Sequence, residues 1–417
     1  MAGMKKRTQA QPSQKQSVGL KQICELIPPY EVSKIARETG VDKQARTFTP
    51  WSHVVAMVFS QISHSVGLND VCDALKLRES ELASIRSAVP PERNTLSHAN
   101  KVRDSAFAEK LFWSTLAHTQ QSYPGFAGGP KRRFAHRFKR NIQLADSTVI
   151  PLMASCMDWA KHRRRKAAAK VHLRLDLQSF LPTFAIIRTA NEHDITRAWE
   201  LCAGVKDGEI IIFDKAYAEF AHLYHLRQRG VYFVTRAKDN LSATTVQKGA
   251  VDRERGVLRD DLVTLNVKKS ARDYPETIRV VTLMVEVDGK LREMTFLTNN
   301  LKWSPISIGD LYRCRWEIEV FFKEIKQSLQ LADFLGNSAN AVQWQVWIAL
   351  LVHLLLRWHA WQSRWNHSFT RLFTFVRAAL WLRRDLLELL RRCGTADGDF
   401  RFIGQAQQAW LPGLAMG

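Results

Sequence analysis

A chain of 417 residues with 61 Lys and Arg against 40 Asp and Glu carries a formal charge of +21. That balance favours a polyanionic partner, because neutralising phosphates releases counterions. The length permits two or three domains around a large core, while no apolar run reaches the roughly 18 residues that span a bilayer. The start is polar and basic, without a secretory pattern. Six scattered cysteines show neither CxxC nor disulfide-framework spacing, which argues against a zinc module and favours a reducing, cytoplasmic setting.

Residues 1–20 are polar, basic and Gln-rich, and read as a disordered tail. Residues 21–123 read as a helical domain. One helix spans about 49–65, a second follows the Gly67 turn to Leu75, and Pro90-Pro91 breaks the chain before a third opens near Asn94. That third helix, Asn94 to Arg103, is polar and bears Arg, Lys and Asn. It suits a helix-turn-helix-like DNA reader, with an ordinary helical cap domain as the alternative.

A Pro/Gly-rich joint at 124–130 marks a boundary. Beyond it the pattern predicts strands at 142–150, 168–177 and 180–190, a helix at 194–204, a strand at 209–214, a helix at 219–229 and a strand at 231–237. This alternation reads as α/β. Residues 240–305 turn β-rich, with a hairpin signal at Asp288-Gly289. Ser304-Pro305 offers a cap and first-turn proline for the next helix. Residues 340–417 are read as a helical region, rich in Trp, Leu and Arg up to about 395; its tryptophans suit core or dimer packing better than base stacking.

Three acids stand out. Asp146 interrupts a short apolar strand, and Asp214 ends the β-branched run Glu209-Ile-Ile-Ile-Phe. A carboxylate at the end of a buried strand costs several kcal/mol to desolvate unless a partner such as a divalent cation compensates; a loop or helix-capping aspartate is the plainer alternative. Glu319 lies on a helix with Tyr312, Arg315 and Lys326, at offsets that fall near 0°, 300°, 340° and 320° at about 100° per residue. One stripe then holds a carboxylate, two cations and a phenol, which suits a metal beside a phosphodiester, although Arg315 and Glu319 alone would make an ordinary surface ion pair. Basic runs at Lys131–Arg140 and Lys161–Lys166 bracket the Asp146 strand and point to a nucleic-acid channel rather than solvated loops.

The spacing Tyr312-x2-Arg315-x3-Glu319-x6-Lys326 resembles the Y-R-E-K motif of the DDE transposases of the insertion sequence 4 family. Asp214-Lys215-Ala216-Tyr217 is similar to that family's Asp-(Lys/Arg)-x-Tyr pattern. The resemblance implies an RNase H-like catalytic core over residues 131–339 with a β-rich insertion at 240–305. It is preceded by a helical N-terminal DNA-binding domain (21–123) and followed by a helical C-terminal region (340–417). It also implies a catalytic and metal-binding triad of Asp146, Asp214 and Glu319 holding two Mg²⁺ ions, with Mn²⁺ as a substitute. DNA would be contacted by Tyr312, Arg315, Lys323, Lys326, Arg163, Arg164 and Arg165. The partners implied are terminal inverted repeats, target DNA and a second copy of the chain in a synaptic homodimer, with no membrane involved. The activity implied is cut-and-paste transposition through hairpinned ends. A non-catalytic DNA-binding descendant and a stand-alone metal-dependent nuclease are the other two readings.

Overall fold

The computed structural model describes residues 17–43, 45–127, 138–152, 156–163, 166–189, 194–287, 289–328 and 334–392. Residues 1–16 of the expected tail lie outside them, as do Arg164, Arg165 and most of the 131–140 basic run. Eight helices come first: α1 (Gly19–Glu25), α2 (Pro29–Thr39), α3 (Pro50–Ser63), α4 (Leu68–Lys76), α5 (Glu79–Ala83), α6 (Arg93–Val102), α7 (Ala106–Ser122) and α8 (Pro124–Ala127). Residues 17–20 of the expected tail thus belong to the folded region. Val18 and Leu20 are buried, and Gly19 sits so close to the Ala379 carbonyl oxygen that a Cβ would meet it at 2.6 Å. Helix α3 starts as its sequence requires: Thr49 Oγ1 accepts from the Ser52 amide at 3.1 Å, and Pro50 occupies the first turn.

The central region runs β1 (Ile142–Leu152), α9 (Met157–Ala160), β2 (Lys161–Arg163), β3 (Lys166–Asp176), β4 (Leu181–Thr189), α10 (Asp194–Cys202), β5 (Ile210–Phe213), α11 (Phe220–Gln228) and β6 (Tyr232–Arg236). The expected strands and helices are all present here, within a few residues. The 240–305 segment forms β7 (Ala243–Lys248), β8 (Val257–Leu265), α12 (Lys268–Asp273), β9 (Ile278–Val287) and β10 (Lys290–Thr298). Gly289 turns the β9–β10 hairpin at φ 73°, a backbone region that favours glycine.

All ten strands join one sheet in the order β2-β3-β1-β5-β6-β10-β9-β8-β7, with β4 also pairing with β3. Strands β1, β5 and β6 are parallel, and α10 and α11 lie in the crossovers; β3 runs antiparallel to β1 and β4. Strand β5 shows why its run is apolar throughout. Ile210 and Ile212 face one core and Ile211 and Phe213 the other, because side chains alternate across a strand that is covered on both faces.

The remaining helices are α13 (Pro305–Arg313), α14 (Trp316–Lys323), α15 (Ala339–Ser363), α16 (Phe369–Ala379) and α17 (Leu386–Arg392). Helix α15 is the axis of the helical layer and packs against α1, α3, α6 and α7, so helices from both ends of the chain share one core. Trp344 and Trp347 are buried in it, while Trp358 and Trp361 pack edge-on against Tyr123. Among the described residues α15 is the one helix long and apolar enough to cross a membrane, and most of it is buried inside this fold. The result is a mixed α/β architecture with a large sheet flanked by helices.

Candidate active site

Strand register places the first two acids. Ala145 pairs with Phe213 across the parallel β1–β5 ladder, so Asp146 and Asp214 follow at the same level on neighbouring strands, which run about 4.8 Å apart. Phe213 in turn pairs with Thr235 on β6, which brings Arg236 level with Asp214.

Asp214 caps a 3₁₀ turn, Lys215–Tyr217; its Oδ1 accepts from the Ala216 amide at 3.0 Å. The plainer capping role and a role in the site are therefore compatible, because one oxygen serves each. Oδ2 faces Tyr312, whose hydroxyl donates to it across 3.5 Å. Tyr217 anchors the turn from below: it is buried, and its hydroxyl hydrogen-bonds His172 Nδ1 at 3.1 Å.

Asp146 uses Oδ1 to accept from the Ser147 amide at 2.8 Å and Oδ2 to accept from Arg315 Nη1 at 2.8 Å. The other guanidinium nitrogen of Arg315, Nη2, donates to Glu319 Oε1 at 2.7 Å. Burial pushes the Asp146 carboxyl up to about 6; Asp214 and Glu319 push the same way, and the Ser147 amide and Arg315 only partly offset them. Burial also lifts the Tyr312 phenol to about 12, so it stays a hydrogen-bond donor. For Arg315 burial opposes the charge, but Tyr312, Asp146 and Glu319 outweigh it and its pKa lies above the ordinary value.

The helix carrying the third acid departs from one uniform α-helix. It begins as expected, with Ser304 Oγ accepting from Ser307 and Pro305 in the first turn. It then tightens between α13 and α14, where Arg315, Glu317 and Ile318 each bond to the carbonyl three residues back. It widens into a π turn at Glu324–Ser328. Tyr312, Arg315 and Glu319 still converge, since the guanidinium lies 5.7 Å from the Tyr312 ring. Further along, Lys323 is exposed, and Lys326 is half-buried with its pKa lowered by that burial. Glu324 turns away from the site to meet Arg357 and His353 on α15. Arg163 lies in β2 beside β3.

A cavity of about 430 Å³ opens beside Asp214, Tyr312 and Arg315. Arg236 and Arg292 line it together with Met294, Phe296 and the exposed Trp316. Sequence reasoning missed Arg236; counting residues from parallel strand to parallel strand would have found it. The cavity joins the β-rich segment to the acids, and Gly309 makes the close approach possible, as a Cβ there would meet Leu283 Cδ1 at 2.5 Å.

The donor set is all oxygen, which suits a hard divalent cation. A buried carboxylate raised toward neutrality beside two further acids is a place where a cation would be strongly held. Among the described residues, however, no three acid, histidine or cysteine side chains surround a common point, because Arg315 stands between Asp146 and Glu319.

Comparison with known proteins bears on the same region. Residues 137–355 match the family described as Transposase DDE domain, and residues 15–85 match a domain of unknown function. A putative transposase of Sinorhizobium fredii is 30% identical over 309 residues, covering 73% of this chain and 82% of that protein. A probable transposase of an insertion sequence element of Geobacillus stearothermophilus is 26% identical over 222 residues, covering 53% and 57%. Among solved structures, a piggyBac transposase synaptic complex with hairpin DNA aligns with a TM-score of 0.41 at 8% identity, covering 90% of this chain and 80% of that one.

Proposed function

Since the chain belongs to the DDE transposases of the insertion sequence 4 family, we propose that Asp146, Asp214 and Glu319 are the triad with which it cuts and joins DNA. The protein is a DNA-cleaving transposase, and its family implies dependence on a divalent metal. The observation that supports the residue assignment is a pair of juxtapositions. Asp146 and Asp214 stand level on adjacent strands, and one guanidinium links Asp146 to Glu319. The strand order β4-β3-β1-β5-β6, with β3 antiparallel, supports an RNase H-like core, and β7–β10 then form its insertion.

Two Mg²⁺ ions, or Mn²⁺, bound at these carboxylates would activate the attacking oxygen and stabilise the leaving one. The chain's own residues supply the rest. Tyr312 offers a neutral hydroxyl, and Arg315 and Arg236 offer fixed cations, so a phosphodiester entering the cavity is oriented beside the acids. Lys323, Lys326 and the 163–165 arginines would hold flanking backbone. The helices of 21–123 would recognise the terminal inverted repeats, a role supported by α6, whose Arg93, Asn94, Ser97, His98 and Lys101 are all exposed. A synaptic homodimer would pair the two ends for cut-and-paste transposition. Neither a non-catalytic DNA-binding protein nor a stand-alone nuclease is favoured.

Asp214→Asn tests the assignment. An Asn side chain keeps an oxygen for the Ala216 amide, so the turn should fold and end binding should survive, while metal-dependent cleavage should be lost. Cleavage at the wild-type rate would refute the triad.

A further inference from the structure

Arg315 does more than a DNA-facing arginine requires. One guanidinium spans two of the three acids, with Nη1 on Asp146 at 2.8 Å and Nη2 on Glu319 at 2.7 Å. Only 14% of its side chain is exposed. The other oxygen of Asp146 already accepts from the Ser147 amide, so Arg315 competes with a metal for the lone pairs that remain on this carboxylate. Two carboxylates sharing one Mg²⁺ through bonds of about 2.1 Å must bring their oxygens within about 4 Å of each other, and a guanidinium fork between them keeps them from closing on one point. Arginine cannot leave by losing its proton; it can only exchange one anion for another.

We infer that Arg315 is the site's resident counter-ion, holding Asp146 and Glu319 together in the free protein and passing to a DNA phosphate when a divalent cation takes the acids. This rests on the metal reading above. It makes metal and DNA mutually dependent through a residue that bonds to no metal. A cation entering the free site must displace a cation already there, whereas bound DNA gives Arg315 another partner and removes that cost. By linkage, each ligand then tightens the other by the same factor.

Mn²⁺ binding to the full chain, measured calorimetrically with and without a short mixed-sequence duplex, tests this. Wild type should bind Mn²⁺ about tenfold more tightly with the duplex present. Arg315→Gln should bind it about tenfold more tightly than wild type in the absence of DNA, and the duplex should add nothing further. Equal or weaker Mn²⁺ binding by Arg315→Gln, or an undiminished effect of the duplex, overturns the inference. Should Arg315→Gln fail to fold without metal, Arg315→Lys carries the test. A lysine ammonium is a point charge on a flexible stem without the guanidinium's rigid planar fork and should hold the two acids less firmly, so Mn²⁺ should bind more tightly than to wild type without DNA, and unchanged affinity overturns the inference. Asp214→Asn separates the two levels of the argument. If it binds Mn²⁺ as wild type does, the metal reading itself fails and the inference falls with it. If it loses Mn²⁺ while Arg315→Gln matches wild type, only the inference fails.

Discussion

Glu319→Gln and Glu324→Gln are the same chemical change five residues apart, and their surroundings demand opposite outcomes. Glu324 accepts from Arg357 Nη2 through both oxygens, at 2.7 and 2.6 Å, and from His353 Nε2 at 2.9 Å. Its side chain is 13% exposed, and burial alone would raise its pKa, but His353 and Arg357 hold it below the ordinary value. Removing one partner of a buried pair costs about 3–5 kcal/mol, because the other charge is stranded. Arg357 is 27% exposed and lies over the Phe180 and Phe369 rings, so water and aromatic faces relieve part of that; about 3 kcal/mol is the figure to expect. With an unfolding entropy of about 2.1 cal/mol/K per residue over a chain of this length, 1 kcal/mol is worth roughly 1 °C, so the melting temperature falls by about 3 °C. Glu319, 37% exposed and bonded to a single guanidinium nitrogen, should cost at most about 1 kcal/mol when replaced. Thermal melts in EDTA, paired with metal-dependent cleavage well below either transition, should therefore dissociate the two. Glu324→Gln melts early but cleaves; Glu319→Gln melts normally and does not cleave. A Glu324→Gln protein as stable as wild type, or a cleaving Glu319→Gln protein, would refute the reasoning.

Two further outcomes follow from the charges. Asp146 titrates near 6 in the folded, metal-free chain against 3.8 ordinarily, so the folded state binds the proton more tightly. The Asp146 contribution to stability in EDTA should then be full below about pH 4 and be lost as pH rises to about 6, by no more than about 3 kcal/mol, against a background in which Glu324, with its lowered pKa, acts in the opposite direction; the difference between the wild-type and Asp146→Asn curves isolates it, and a wild-type curve parallel to the mutant's would dismiss it. Reversing the charges of Arg163, Arg164 and Arg165 should weaken binding to cognate and scrambled duplexes alike and flatten the dependence of affinity on salt. Unchanged affinity at low and moderate salt would make this segment a solvated face.

Local pattern made much of this protein legible before any coordinates. The apolar run Ile210–Phe213 ending in Asp214, the Ser304-Pro305 helix start and the Asp288-Gly289 turn are short-range signals, and each reports the dihedral preferences and burial of its own few residues. Tyr312, Arg315 and Glu319 could be aligned by helical pitch because they span only two turns. Tertiary structure decided what depends on partners distant in sequence. The pairing of Ala145 with Phe213 set Asp146 beside Asp214, and the pairing of Phe213 with Thr235 brought in Arg236, neither of which any local preference encodes. The inward turn of Glu324 required Arg357 and His353, some thirty residues away. Pitch, too, departs from a uniform helix, with a tightened turn at Arg315 and a widened one at Glu324. Periodicity records how a segment is buried, but register and pitch are set by which other segment buries it, and that is a property of the whole chain.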